Sequence, residues 1–162
     1  MGAQQYLLSR LLDNAIRFEE ASVAFYKEAR SRVKGSHARH ILDALAAEEQ
    51  QHIKRLTNLR NNTDAAAELA LSITSLPAAE VAQTLAEPPS IPTGADAQAV
   101  CDTARQRENL AYQFYHDLAK KADPDSISGR VFTFLATEEQ THMKRVDEIR
   151  HLADGSDSES RS

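Results

Sequence analysis

An internal repeat constrains this chain more than any other feature. Residues 48–55 read EEQQHIKR and residues 138–145 read EEQTHMKR, 90 positions further along, with six of the eight letters identical. In each copy a Glu precedes a His by three residues, at Glu49 and His52 and again at Glu139 and His142. Residues three apart lie on one face of an α-helix. The repeat therefore predicts two helices that each present a carboxylate and an imidazole on the same side.

Four segments have helical periodicity, and we predict helices at 4–34, 36–60, 96–122 and 126–152. Each segment carries a stripe of small and apolar residues at alternating steps of three and four, as a helix facing a bundle core does. Ser36 is expected to cap the second helix. Polar residues interrupt the middle of every stripe: Glu19 in the first, Glu49 and His52 in the second, Glu108 in the third, and Glu139 and His142 in the fourth.

The odd-numbered helices also match each other, which decides between two neighbouring acids. The letters FEE leave Glu20 as an alternative to Glu19 for the inward position of the first helix. Glu19 precedes Tyr26 by seven residues, as Glu108 precedes Tyr115 in the third helix. Both the stripe and the repeat therefore favour Glu19.

The predicted domain covers residues 1–153 and is a single all-α four-helix bundle. Residues 64–93 allow one short helix and contain four of the five prolines, so they form too long a connection for a tight hairpin and predict a crossover between helices two and three. The last nine residues, 154–162, are polar and begin with Asp154 and Gly155. We expect them to form a flexible tail.

Composition excludes several classes of function. The chain has 162 residues, a net charge of −5 and a pI of about 5.7, so nucleic acid is not an expected partner. Its one cysteine, Cys101, excludes an internal disulfide and a four-cysteine metal module, and is read as a small buried hydrophobe. Charged residues at 10, 13 and 17 break the N-terminal apolar pattern, so neither a signal peptide nor a membrane anchor is expected, and a cytoplasmic location is predicted.

The interrupted stripes place four carboxylates and two imidazoles at inward positions. Burying an ionised carboxylate costs several kcal/mol unless its charge is compensated. No Lys or Arg is expected on these stripes at the same level. Two divalent cations would balance the charge of the four Glu, with two neutral His completing the ligand set. This is the di-metal carboxylate pattern of ferritin-like bundles. Oxygen and imidazole ligands without thiolate suit iron or manganese, and zinc can occupy such sites too.

The set Glu19…Tyr26, Glu49-x-x-His52, Glu108…Tyr115 and Glu139-x-x-His142 resembles the rubrerythrin branch of the ferritin-like di-iron proteins. The resemblance implies a ferritin-like fold, two Fe ions per chain, and oxidoreductase chemistry with O₂ or hydrogen peroxide. It also implies an external electron donor and a homo-oligomer, most simply a dimer. Glu49 and Glu139 would bridge the metals, Glu19 and Glu108 would be terminal ligands, and His52 and His142 would each bind one metal.

The chain departs from that family pattern in two ways. Rubrerythrins proper carry a rubredoxin-like module with paired CxxC motifs, and this chain has one cysteine. They also carry a further Glu one turn after the third-helix ligand, where this chain has Ala111. The six remaining ligands are similar to a bacterioferritin-type ferroxidase centre.

Several alternatives remain open from the sequence. The ExxH copies could be solvated helix faces related by duplication, and Tyr26 and Tyr115 could be core packing rather than hydrogen-bond donors to ligand carboxylates. The protein could be a non-catalytic iron or zinc bundle (a sensor, a buffer or a structural protein) or an oxygenase. Glu148-x-x-His151 also fits ExxH, but it lacks a repeat partner and lies beside the stripe. It is therefore interpreted as a chance match that binds no metal. The four remaining histidines are read as surface: His37, His40, His116 and His151.

Overall fold

The computed structural model describes residues 3–65, 67, 85 and 87–159. Four long helices account for most of them: α1 (Ala3–Arg32), α2 (Ser36–Asn61), α3 (Ala97–Lys121) and α4 (Ile127–Glu159). The described residues contain no strand, which confirms the all-α prediction. Within this part of the chain, no helix combines the length and the apolar character that crossing a bilayer requires.

The predicted helix boundaries agree with the structure to within two residues, except at the C-terminus of α4. This helix was expected to end near Leu152 but continues to Glu159, through Gly155. Gly155 has open space around it and stays in helical conformation, since one glycine weakens a helix without ending it. The flexible tail expected from residue 154 is therefore helical as far as 159, and residues 160–162 lie outside the described part.

The stripes predicted from the sequence face the interior, and they divide the core into two apolar clusters. One cluster is built around Leu12, Leu56, Tyr115 and Phe132. The other is built around Tyr26, Leu42, Cys101, Val146 and their neighbours. Cys101 is buried, as expected, and burial raises the pKa of its thiol to about 11. In every helix the acidic and imidazole residues of the stripe fall between the two clusters, so they form one polar layer across the middle of the bundle.

The order in which each helix meets these clusters gives its direction. Along the chain, α1 and α4 run from the Leu12 cluster to the Tyr26 cluster, and α2 and α3 run the opposite way. The pairs α1–α2 and α3–α4, which pack along each other, are therefore antiparallel, whereas α2 and α3 are parallel. The chain between them must return along the length of the bundle, which is the crossover of a ferritin-like fold. Most of the predicted crossover, residues 64–93, lies outside the described residues.

Two short connections join the antiparallel pairs. Gly35, rather than Ser36, occupies the cap position of α2, and its φ of 92° is one that glycine adopts readily. Before α4, the Ser126 hydroxyl accepts a hydrogen bond from the Gly129 backbone N–H at 3.0 Å. Gly129 is buried against the turn, because a Cβ there would lie 2.9 Å from the carbonyl carbon of Asp123 and closer still to its oxygen.

We expect Gly129→Ala to destabilise the protein by about 2 kcal/mol, because the added methyl group overlaps backbone atoms that cannot move independently of the turn. For a chain of this length this corresponds to a decrease of roughly 4–8 °C in the thermal unfolding midpoint. Gly155→Ala is the matched control, since that position has nothing within 4 Å of an added Cβ. Circular dichroism melts in which the two variants behave alike would contradict the proposed clash.

Candidate metal centre

All six predicted ligands lie in the polar layer, on four different helices. None of their side chains exposes more than 2% of its surface: Glu19, Glu49, His52, Glu108, Glu139 and His142. Glu20 is exposed, so Glu19 is the inward acid of α1. The ExxH copies are therefore not solvated faces. Each helix contributes one or two of these side chains to the polar layer, because its stripe faces the core between the two apolar clusters.

The six side chains form two overlapping groups of four. In each group, one possible ligand atom from every member lies within 4.8 Å of the others, and the groups share Glu49 and Glu139. One group adds Glu19 and His52 to the shared pair, and the other adds Glu108 and His142. Each group therefore contains the two shared acids, one further acid and one imidazole.

The distances around the imidazoles are those expected between ligands of one ion. His142 Nδ1 lies 3.2 Å from an oxygen of Glu139 and 3.3 Å from oxygens of Glu49 and Glu108. His52 Nδ1 lies 2.9 Å from Glu49 Oε2 and 3.2 Å from Glu139 Oε1, with Glu19 further away at 3.9 Å. Two atoms at right angles on one ion, each about 2.1 Å from it, are about 3.0 Å apart.

Several buried polar atoms of this layer make no well-oriented hydrogen bond with any described residue, although ring nitrogens and carboxylate oxygens approach one another closely. They include both oxygens of Glu139, one oxygen each of Glu19, Glu49 and Glu108, and Nδ1 of both histidines. Buried polar groups are normally satisfied, so a cluster of orphaned acceptors aimed at one another requires an explanation. Cations would supply it, and the residues present fit a pair of them.

Tyr26 and Tyr115 hold the two terminal acids. The Tyr26 hydroxyl donates to Glu108 Oε1, and the Tyr115 hydroxyl donates to Glu19 Oε1. The pairing is crossed, because the tyrosine of α1 holds the acid of α3 and the tyrosine of α3 holds the acid of α1. In both acids Oε2 is left without a partner. The tyrosines are buried and act as hydrogen-bond donors to these carboxylates as well as packing in the core.

Burial and mutual repulsion affect the ionisation of the layer. Desolvation, followed by the charges of Glu49 and Glu139, raises the pKa of Glu19 well above its usual value. Desolvation, followed by Glu49 and Glu108, raises the pKa of Glu139 in the same way. Burial alone would lower the pKa of His142, but its carboxylate neighbours outweigh that effect and raise it. Without cations, the layer therefore reduces its charge by holding protons.

A buried cation beside the layer was not anticipated. Arg107 is buried, although no basic residue was expected at this level. Its guanidinium donates to the Pro89 carbonyl at 2.9 Å and to Ser22 Oγ at 3.1 Å, and lies 4.8 Å from the centre of the Phe25 ring. Desolvation lowers its pKa, and the nearby acidic groups oppose that shift. Its position directly before Glu108 was the available signal, since that neighbour faces the core.

Glu48 was also missed as a site residue. His142 Nε2 lies 3.0 Å from Glu48 Oε2, and Arg145 Nη1 donates to both Glu48 oxygens at 2.6 Å. The hydrogen bond to His142 is the main cause that lowers the pKa of Glu48 to about 2. The doubled Glu in EExxH could have indicated this contact. A residue directly before a ligand can reach the imidazole nitrogen of a neighbouring helix that faces away from the polar layer.

The remaining histidines lie away from the polar layer. His37, His40 and His151 are exposed, as predicted, and His37 contacts Glu148 at 3.0 Å. Glu148 and His151 belong to neither four-residue group, which agrees with their interpretation as a chance match. His116 was expected at the surface but is half-buried, because its ring stacks on Tyr112 with centroids 5.2 Å apart.

Comparison with known protein families agrees with this geometry. The rubrerythrin family model matches residues 10–150, which includes all six candidate ligands. The chain belongs to the rubrerythrin family. No curated protein and no solved structure gives a significant match to it. In this rubrerythrin-family chain, Ala111 is buried in the apolar cluster around Leu12 and brings no further carboxylate to the polar layer.

Metal-free protein should become less stable as pH rises from about 5.5 to 8.5. Glu19 and Glu139 have folded pKa values raised well above the unfolded value of 4.5, so above about pH 5.5 the folded state retains protons that the unfolded state has released. The stability that a raised pKa contributes is complete below the unfolded pKa and is lost as pH rises towards the folded pKa. For each proton that only the folded state holds, the free energy of unfolding decreases by about 1.4 kcal/mol per pH unit. The raised pKa values of His52 and His142 act in the same direction. Thermal midpoints of chelated protein across this window measure the effect.

Glu139→Gln provides the comparison, because an amide has nearly the shape of the protonated acid. The metal-free variant should show a flatter pH dependence and should exceed the wild type in stability at pH 8.5. The lowered pKa of Glu49 has the opposite sign, but its effect falls below the unfolded value of 4.5 and therefore outside the window. A wild-type midpoint that stays constant or rises between pH 5.5 and 8.5 would contradict proton retention by the layer.

Proposed function

We propose that this protein is a di-iron oxidoreductase that reacts with O₂ or hydrogen peroxide. The observation that carries the proposal is the pair of overlapping four-residue groups sharing Glu49 and Glu139, with unsatisfied ligand atoms directed at one another. Membership of the rubrerythrin family supports iron as the metal. Zinc or manganese could substitute, since both accept carboxylate and imidazole ligands.

The unsatisfied oxygens suggest how Glu19, Glu108 and Glu139 would bind. Glu139 has both oxygens unsatisfied, as a carboxylate shared between two ions requires. Glu19 and Glu108 each have one oxygen occupied by a tyrosine and one oxygen free, as terminal ligands require. Four carboxylates balance two divalent ions in charge. Two Fe(II) ions would supply the two electrons needed to reduce peroxide, or to begin the reduction of O₂.

The protein's own residues would keep this centre ordered and dry. Tyr26 and Tyr115 hold the terminal acids through their hydroxyl protons, which fixes the carboxylate rotamers before any ion is bound. The apolar clusters on both sides exclude water, so charges within the layer interact more strongly than they would in solvent. Arg107 places a buried positive charge near Glu108, Glu49 and Glu19, which would offset part of the negative charge of the layer.

Electrons would come from outside the chain. Its one cysteine is buried and cannot form a four-cysteine iron module. We therefore propose an external electron donor as a partner. The homodimer and the cytoplasmic location expected from the sequence remain predictions.

Anaerobic Fe(II) titration should saturate at two ions per chain, because the layer contains two overlapping ligand groups. Oxidation of the loaded protein by O₂ or peroxide, followed by stopped-flow absorbance, should consume the two ferrous ions together. Glu139→Gln removes a shared ligand and should bind one ion at most. Its oxidation rate should decrease by at least ~100-fold, since a two-metal reaction needs both ions in place.

Glu148→Gln is the matched control, because Glu148 has the same three-residue spacing to a histidine but lies on the surface. This variant should retain two ions and wild-type rates. Binding of two ions that remain ferrous in the presence of both oxidants would favour the non-catalytic metal-binding alternative. Saturation at one ion or none would exclude the proposed centre.

A further inference from the structure

The outer sides of the two imidazoles have different environments. His142 Nε2 contacts Glu48 at 3.0 Å, and Arg145 holds both oxygens of that Glu. His52 Nε2 is buried and has no hydrogen-bond partner among the described residues, although a carboxylate oxygen of Glu138 lies within 4.8 Å of a ring nitrogen of His52 and of a ring nitrogen of His142. The two rings stack with centroids 5.3 Å apart, so the asymmetry lies within one small region.

The repeat letters alone do not explain this difference. Glu48 corresponds to Glu138, and Arg145 corresponds to Arg55, at the same offset of 90 residues. Arg55 stacks instead on the ring of Phe134, with 4.1 Å between its guanidinium carbon and the ring centroid. At the position equivalent to Phe134, the first copy has Ala44.

The two halves of the repeat therefore differ because residue 134 is a phenylalanine and its equivalent, residue 44, is an alanine. Arg145 has no aromatic ring at the corresponding place on α2 and reaches the carboxylate of Glu48. Arg55 meets Phe134, and a cation–π contact holds it on the surface of the bundle. Glu138, the carboxylate equivalent to Glu48, is consequently not held by Arg55, whereas Glu48 is held by Arg145.

An anchored carboxylate affects metal binding through the imidazole. When Nε2–H donates to a carboxylate, the tautomer is fixed with the Nδ1 lone pair directed at the metal, and the imidazole becomes a stronger donor. Removing such an outer partner typically lowers metal affinity by about 10- to 100-fold. His142 has this support in the structure, whereas His52 has none on Nε2.

We propose that Glu48, anchored by Arg145, is a positioning residue for His142, and that the two metal positions consequently differ in affinity. The position formed by Glu49, Glu108, Glu139 and His142 is the tighter one. The position formed by Glu19, Glu49, His52 and Glu139 is the weaker one. The inference rests on the proposed function in one respect, since it requires the chain to bind two ions.

Anaerobic titration of the metal-free full-length protein with Co²⁺, at fixed pH and followed by visible absorbance and calorimetry, tests the proposal. Repulsion between two bound ions would itself make the second binding step weaker than the first. Unequal affinities in the wild type are therefore not sufficient, and the test depends on how the variants change each step. Glu48→Gln should weaken the tighter step by about 10- to 100-fold and leave the weaker step within about twofold. Glu138→Gln, the matched control at the equivalent position, should leave both steps within about twofold.

Phe134→Ala tests the origin of the asymmetry in the opposite direction. The ring is partly exposed, so its removal should be tolerated, and it frees Arg55 to approach Glu138. The weaker step should then tighten severalfold while the tighter step keeps its affinity. A weaker step that stays unchanged in a folded Phe134→Ala protein would overturn the assignment of the asymmetry to this ring.

Proton NMR of protein carrying one Co²⁺ per chain gives a readout that a purely structural role would not change. The imidazole N–H of the ligated histidine should appear as one hyperfine-shifted, slowly exchanging signal. That signal should persist in Glu138→Gln and be lost to exchange in Glu48→Gln. Arg145→Met, which removes the anchor but keeps Glu48, should weaken the same binding step and decides the question if Glu48→Gln does not fold.

Equal effects of Glu48→Gln and Glu138→Gln, or no effect of either Glu48→Gln or Arg145→Met on the tighter step, would overturn the proposal. Wild-type protein that binds two Co²⁺ with such results would leave the proposed two-metal centre standing. Wild-type protein that binds fewer than two Co²⁺ would instead overturn the centre itself, so the two failures are distinguishable.

Discussion

Four carboxylates are buried together at one level of the bundle, and their charge must be compensated within the fold. Their ionised forms repel one another, and burial removes the water that would screen them. The protein places them between two apolar clusters, so the layer cannot be relieved by a small movement towards solvent. The layer must therefore hold either protons or cations. If the layer holds protons, the free energy of unfolding decreases as pH rises. Bound cations would compensate the carboxylate charge without protons and so remove this decrease.

The crossed tyrosine contacts make the centre a property of the whole repeat. Tyr26 of the first half holds Glu108 of the second, and Tyr115 of the second half holds Glu19 of the first. Neither half can therefore order its own terminal acid. The connection that makes α2 and α3 parallel brings these partners together, and in this way the topology of the fold positions the ligands.

Much of this arrangement could be predicted from the sequence, because helical periodicity determines which residues face the core. The inward positions of Glu19, Glu49, Glu108 and Glu139 all followed from stripe and repeat, whereas the shared roles of Glu49 and Glu139 were implied by the family resemblance. What could not be predicted depends on contacts between helices. Arg107 is buried because Ser22, the Pro89 carbonyl and two phenylalanine rings of α1 receive it, and periodicity within α3 carries no information about them. The contact between Glu48 and His142 likewise depends on how α2 and α4 pack together, which the periodicity of either helix alone does not determine.

We propose that these six side chains hold two metal ions, with Glu49 and Glu139 shared. Anomalous diffraction at the iron edge, from crystals loaded anaerobically with Fe(II), would locate the ions. We expect two anomalous peaks per chain in the polar layer, one next to Nδ1 of His52 and the other next to Nδ1 of His142, with both shared acids in contact with both peaks. A single peak, or iron located elsewhere on the chain, would contradict the two-metal centre.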